Sequence, residues 1–360
     1  MSRVQRSKVT RDKDSFKGSF SIPESTEDWV RVAKSSSLLK KTLNDLSKLG
    51  SGSRVKKKQH ILFKAIWDRP VKNDKLEYKA ERYNLSGVWQ NAKHLVASSR
   101  ELQRYLALVD KPQNFALLTE IDCAWPGSWA PVLKWQNRVL EFCKRKPALE
   151  TPSTGTRSHN RKRKHGIAPQ VEQVLEDDKP PSDESITNTA LVLFLDAVLS
   201  LVPSAGCEFT MFRVAFESNF RQAGFKALTD GALWITGDEE DVRAILEVKK
   251  GHRYDNYDRI RMQETAELVG WLKKPYQPWN ELFNGHKILI SEDGNEVWIT
   301  FAKPSSTYSQ YLSTDTPAED AFLHMVTYGP YRLGHKEDME NLCIVIAAIV
   351  LRVAYSLRPQ

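Results

Sequence analysis

Two stretches decide how this chain folds: Leu228-Thr229-Asp230-Gly231-Ala232 and Ala244-Ile245-Leu246-Glu247-Val248-Lys249. The first sets a carboxylate beside a glycine at the head of an apolar run, Gly231–Ile235. The second is an apolar run, Ala244–Val248, that carries two charges at its end. Short apolar runs bounded by polar residues read as buried strands. Asp238-Glu239-Glu240-Asp241 between them is expected to form the turn that lets them pair. Side chains alternate across a strand, so Glu247 and Lys249 point to one side, with Ile245 further back. Leu246 and Val248 then enter the core on the other side. Pairing of the two strands brings Asp230 up to Glu247.

That arrangement suits phosphodiester hydrolysis. Two neighbouring carboxylates repel each other unless a cation lies between them. Mg²⁺, with Mn²⁺ as a substitute, takes oxygen ligands and keeps several waters. Such an ion positions a water, helps to deprotonate it and stabilises charge on a phosphate or departing oxygen. Lys249 is expected to hold the attacking water or neutralise the crowded phosphorus, without ligating the metal. Glu-x-Lys alone is a common surface pattern, and it is the Asp-Gly strand before it that singles this one out. Arg253, Arg259 and Arg261 follow closely and are candidates for gripping phosphate oxygens through their forked donors.

Outward from this centre, Ile186–Val202 has the apolar spacing of a helix that Pro203 ends. Extended pieces are expected around Phe209–Phe216 and Phe225–Thr229, and a helix over Tyr257–Leu272. Lys287–Ser291 and Glu296–Phe301 flank Glu292-Asp293-Gly294-Asn295, a hairpin signal because Asp-Gly accepts the angles of a tight turn. Ala318–Tyr328 and Glu337–Leu357 read as two closing helices. The pattern predicts an α/β domain over residues 185–357, a central mixed sheet with helices on its faces.

Residues 148–184, with Pro152, Pro169, Pro180 and Pro181, read as a flexible linker. Within it, Arg161-Lys162-Arg163-Lys164 is a candidate signal for a nuclear import receptor, which places the protein in the nucleus. Residues 58–147 carry helical periodicity, with Leu102, Leu106 and Val109 on one stripe and Val132, Trp135, Val139 and Phe142 on another. Residues 1–57 are rich in Ser, Lys and Gly and are expected to form a mostly disordered basic arm.

The chain of 360 residues has a net charge of +8, and the excess is uneven. Residues 1–60 hold 15 Lys/Arg and 6 Asp/Glu, and the remaining 300 hold 38 and 39. A basic front end of this kind searches for phosphate backbones by charge alone. Cys123, Cys143, Cys207 and Cys343 lack CxxC spacing, which argues against a zinc site or a disulfide scaffold. The apolar run Leu342–Leu351 is too short to cross a bilayer and reads as a buried helix, so no membrane partner is expected. No phosphate-binding glycine loop, dinucleotide fingerprint or Gly-x-Ser-x-Gly elbow is present.

The order Asp230-Gly231, then Glu247-Val248-Lys249, then Gln263 resembles the PD-(D/E)XK nuclease superfamily. Ala244–Lys249, Met262-Gln263-Glu264 and Tyr328-Gly329-Pro330-Tyr331-Arg332 are similar to nuclease-like domains of uncharacterised fungal proteins. The resemblance covers roughly residues 185–357 and implies a restriction-endonuclease-like core. It implies Asp230 and Glu247 as metal ligands, with the Val248 carbonyl as a third contact and Lys249 as the catalytic lysine. Gln263 matches the glutamine that orients the nucleic-acid backbone in RecB-like members. Thr229 stands where the family name has proline. The upstream acid of the family has two candidates, Glu208 in Cys207-Glu208-Phe209-Thr210 and Glu217, with Glu208 favoured as a further metal contact. The implied activity is metal-dependent cleavage of nucleic acid, DNA before RNA. The alternatives are a nuclease-like module that binds without cutting and a protein whose helical N-terminal region carries the function.

Overall fold

The computed structural model describes residues 20–111, 127–144, 183–275, 281–314 and 316–358. The helices are α1 (Thr26–Ser35), α2 (Lys57–Leu62), α3 (Ser86–Ser98), α4 (Arg100–Leu106), α5 (Ala130–Lys144), α6 (Asp183–Leu199), α7 (Tyr257–Leu272), α8 (Tyr308–Ser313) and α9 (Lys336–Ser356). The strands are β1 (Ala65–Trp67), β2 (Cys207–Thr210), β3 (Ala215–Asn219), β4 (Gly224–Leu228), β5 (Gly231–Ile235), β6 (Asp238–Lys249), β7 (Lys287–Asp293), β8 (Glu296–Pro304) and β9 (Leu323–Arg332). Seven strands form one mixed sheet in the order β1-β9-β8-β7-β6-β5-β2, and β3 and β4 form a separate hairpin. The pairs β6–β7 and β1–β9 are parallel, and the other neighbours in the sheet are antiparallel. The chain is therefore an α/β protein built on a large mixed sheet flanked by helices.

Each face of the sheet has its own core. Leu246, Val248, Ile288, Ile290, Val297 and Ile299 pack on one side with residues of α3, α5, α6 and α9. Ile245, Leu289, Ala302 and Met325 pack on the other, with α1, α2, α7, α8 and the β3–β4 hairpin. The alternation expected along β6 is thus the one that sorts its side chains between the two cores. Strand β6 leads through α7 to its parallel neighbour β7, so α7 lies against the face that carries Glu247 and Lys249.

The N-terminal boundaries differ from expectation. Residues 20–57, expected as a disordered arm, carry α1 and pack through Trp29, Ala33, Leu38 and Leu43 into the second core. The Trp29 indole N–H donates to the Ile61 carbonyl at 2.7 Å. A polar composition hid these few large anchors. Residues 58–147 are not helical throughout. They supply β1, whose Ala65, Ile66 and Trp67 pair with Leu323, His324 and Met325 of β9. A domain starting at residue 185 would lack this edge strand of the sheet. The linker expected over 148–184, with Arg161–Lys164, lies outside the described residues except for its end, where α6 begins at Asp183.

Two local expectations also change. Ala318–Tyr328 is not a helix, because Leu323–Arg332 forms strand β9 between β8 and β1. Strand β9 is buried at every position from Met325 to Gly329, so its apolar residues do not alternate and their pattern does not separate it from a helix. Asp238–Asp241 is not the turn but the start of β6, and the chain reverses at Thr236-Gly237, where Gly237 has φ +85°. Helix α9 has the length and apolarity of a membrane span, but 67% of that apolar window is buried inside the fold against α3, α6 and β9.

Candidate active site

The site forms where the end of β6 meets the head of β5. The Asp230 N–H donates to the Leu246 carbonyl at 2.9 Å, which fixes the aspartate beside Glu247. Gly231 follows because no side chain fits there: a Cβ would stand 2.2 Å from the Thr210 carbonyl oxygen of β2. The Asp230 carbonyl accepts from Asn188 of α6 at 3.2 Å. Its carboxylate turns toward β6, where Oδ2 accepts from the Val248 N–H at 3.0 Å. Oδ1 faces the Arg213 guanidinium at 3.3 Å.

Glu247 and Lys249 share a side, as period two requires. The Lys249 ammonium donates to Glu247 Oε1, to the Val248 carbonyl at 3.0 Å and to Glu184 Oε1 at 3.4 Å. Gln263 of α7 also donates to Glu247 Oε1 and reaches Glu267 Oε1 at 3.0 Å. Gln263 and Glu267 lie four apart, one above the other on the helix, so α7 delivers an amide and a second carboxyl to the same point. Glu247 Oε2 is buried and has no hydrogen-bond partner.

Burial, followed by repulsion from Asp230, pushes the Glu247 carboxyl up to about 8 against the pull of Lys249. Burial also raises Asp230, opposed by Lys249 and by the Val248 N–H. Glu267 is raised by burial and then by the Glu247 charge. Burial works against the Lys249 ammonium, but Glu247, Glu267 and Glu184 outweigh it and hold the group charged. Burial also pushes Asp293 up to about 6 beside the charged Arg253, so such shifts do not by themselves single out this group, and what distinguishes it is that it opens into a cleft.

These groups open into a cleft of about 860 Å³. Asp230, Glu247, Lys249 and Gln263 line it together with Glu184, Arg213, Lys226, Lys250, His252 and Arg259. Five bases and three acids line the cleft, so a positive excess remains once the acids are matched. Ser51 and Ser53 add part of the wall, so the N-terminal segment helps to build the site.

Several expected residues fall elsewhere. Glu208 is not the upstream acid of this cleft. It lies on the edge strand β2 opposite Trp234, whose indole N–H donates to it at 2.7 Å. Glu217 pairs with Lys226 across the β3–β4 hairpin at 3.2 Å and does not line the cleft. The upstream acid that reaches Lys249, besides its strand neighbour Glu247, is Glu184 on the first turn of α6. Arg253 is not available for phosphate. It is 1% exposed and its guanidinium bonds Asp293 at 2.7 Å, Ser291 at 2.7 Å and both oxygens of Glu264. Arg261 is also buried, bonded to the Tyr257 hydroxyl and set over the rings of Trp67 and Tyr257. Arg259 does line the cleft. Glu267 was missed, although its spacing from Gln263 was readable.

No protein-family model, curated protein or solved structure matches the chain. Among the described residues, no group of three or more His, Cys, Asp or Glu side chains is placed to hold a metal ion. A cation at this point would rest on Asp230, Glu247 and the Val248 carbonyl, with water as the remaining ligands. All three are oxygen donors, as a hard ion such as Mg²⁺ requires. Glu247 Oε2 and Glu267 Oε2 are both buried acceptors without a partner, which a cation or a proton shared by the two carboxyls would satisfy. No thiolate or imidazole belongs to this set, and its Glu247 and Val248 oxygens accept from Lys249 in this structure.

Proposed function

We propose that this chain is a metal-dependent nuclease of the PD-(D/E)XK type, hydrolysing phosphodiester bonds in nucleic acid, with DNA the first substrate to try. The observation that carries the reading is the meeting of Asp230, Glu247, Lys249 and Gln263 in one cleft with basic residues around them. Asp230 and Glu247, with the Val248 carbonyl, would hold Mg²⁺ or Mn²⁺. Such an ion, when bound, supplies positive charge that makes a water nucleophilic and stabilises the phosphate as it gains charge.

The chain's own groups do the rest. Lys249 stays protonated and donates to a phosphate oxygen as water attacks phosphorus. The attacking water gives up one proton to solvent, the phosphorus–oxygen ester bond breaks, and the departing oxygen takes up one proton from solvent, so that the step balances. Fixed donors aimed at the point where charge develops lower the barrier without having to reorganise. Gln263 holds Glu247 and Glu267 in place through its amide. Arg213, which touches Asp230 but is largely exposed, is placed to take a phosphate oxygen as substrate enters.

A second reading, a nuclease-like module that binds without cutting, is favoured by one detail. The Lys249 ammonium bonds both Glu247 and the Val248 carbonyl, two oxygens that a cation would need. The test is cleavage of single- and double-stranded DNA and RNA by the full chain in Mg²⁺, Mn²⁺ or EDTA. Cleavage is expected only with metal and is expected to disappear in Asp230→Ala and Lys249→Ala. Mn²⁺ binding by calorimetry should weaken in Asp230→Ala and persist in Lys249→Ala. Cleavage at wild-type rate in both variants overturns the proposal. Metal and nucleic-acid binding without cleavage selects the second reading.

A further inference from the structure

Large exposed apolar side chains are few among the described residues, and half of them gather in the segments around one opening. Of the eight, Leu228 lines the cleft, while Met211, Phe212 and Tyr254 lie outside its lining, one or two residues in sequence from Arg213, His252 and Asn256, which line it. Scattered single exposures need no explanation, but a group at one opening does. Phe212 is 71% exposed and precedes Arg213, which lines the cleft and faces Asp230. Tyr254 is 63% exposed and lies between cleft residues His252 and Asn256. Each ring is braced by another. Phe212 stacks on Trp234 with centroids 6.3 Å apart, and Tyr254 stacks on Tyr257 at 5.7 Å. A braced ring keeps its position without help from a ligand and loses little freedom on binding.

We infer that the cleft takes a strand with unpaired bases, whose bases stack on Phe212 and Tyr254 while its phosphates meet Arg213, Lys226, Lys250 and Arg259. This rests on the reading of the cleft as a phosphodiester site. Three observations join in it. The acids are recessed, with Glu247 1% and Asp230 8% exposed, so a phosphate must enter the cleft to reach them. A volume of about 860 Å³ is that of a pocket for a ligand of a few rings, roughly 300–1,000 Å³. An unpaired strand can bring a phosphate down to these recessed acids and leave its bases free for exposed rings, whereas a duplex must first be unstacked. The basic rim together with exposed rings is the combination that binds single strands with little regard to sequence, because every base has a face to stack.

The experiment is fluorescence anisotropy with the full chain in EDTA, so that nothing is cut. The probes are a fluorescein-labelled mixed-sequence DNA strand and the same strand annealed to its complement. The single strand should bind more tightly than the duplex. Phe212→Ala and Tyr254→Ala should each weaken single-strand binding by about tenfold and leave duplex binding unchanged, and Phe212→Trp should restore it. Lys250→Glu should weaken both probes and steepen neither preference. Both rings are exposed, and thermal melts matching wild type confirm that the variants are folded. If Lys250→Glu weakens binding but the two ring variants are neutral, this inference falls and the nuclease reading stands. Equal affinity for strand and duplex, or equal displacement by oligoglutamate, also overturns it. If neither probe binds, this inference falls, and the nuclease reading is decided separately by the cleavage assay in Mg²⁺ or Mn²⁺.

Discussion

Two clusters of charge lie side by side at the ends of β6 and β7, where Lys249 and Asp293 are register partners. They use the same kinds of group and end differently. In one, Arg253 is enclosed by Glu264, Asp293 and Ser291, and each of its three guanidinium nitrogens has a partner. Arg253, Glu264 and Asp293 are all at 1% exposure or less, and none lines the cleft. In the other, Lys249 faces three carboxyls, Glu247 keeps an orphaned oxygen, and the group opens into a basic cleft. The closed cluster also has an orphan, since Asp293 Oδ1 lacks a partner. The difference that matters is therefore access. Unsatisfied charge sealed in the interior only costs stability, whereas unsatisfied charge beside an opening is free to act on a ligand.

The largest effect should come from the closed cluster. Arg253→Met leaves Glu264 and Asp293 buried without their cation, a change that costs about 3–5 kcal/mol in comparable pairs. Urea unfolding should show a loss of that size, and a loss below about 1 kcal/mol would erase the contrast drawn here. The open cluster should respond in the opposite way. Asp230→Asn is expected to lower cleavage by at least about 10²-fold, the scale of losing one group that stabilises developing charge. Its unfolding free energy should stay within about 1 kcal/mol of wild type or rise, because a repulsive carboxylate has been removed. A variant as unstable as Arg253→Met would mean that Asp230 is structural after all.

How much of this was legible follows from how local each signal is. The strand Gly231–Ile235, the helix Tyr257–Leu272 and the shared side of Glu247 and Lys249 rest on periodicity within one element, and all three appear as read. The need for glycine at position 231 is not local, because it comes from the Thr210 carbonyl of the neighbouring strand β2 pressed against it. Glu184 was not legible, because its meeting with Lys249 spans 65 residues and leaves no trace in local spacing. Arg253 and Arg261 carried the wrong signal. An arginine after a candidate lysine reads as a surface grip, and only the fold reveals Asp293 40 residues away. Strand β9 was lost to its own burial, and the N-terminal segment to its composition, since Trp29 and Trp67 outweigh many polar neighbours once they have a core to enter.

The smallest effect separates the clusters by pH. The Glu247 carboxyl is pushed up to about 8, above its value in an unfolded chain. The metal-free folded protein therefore binds a proton that the unfolded chain releases near pH 4.5. Stability from this group is complete below about pH 4.5 and is lost as pH rises through about 8. Other groups titrate in the same range, and buried His60, pushed down to about 3, acts with the opposite sign below about pH 6.5. The absolute slope is thus mixed, but the difference between two variants isolates the site. Glu247→Gln cannot ionise, so its advantage over wild type should grow between pH 5 and pH 8. Urea unfolding of both proteins in EDTA measures this. A few tenths to about 2 kcal/mol is the expected range, less than a lone group with that shift would give, because Glu267 is raised beside Glu247 and the two share the proton. Parallel pH profiles would show that Glu247 is already ionised at pH 5, and that its pairing with Lys249 is as complete as that of Arg253 with its two acids.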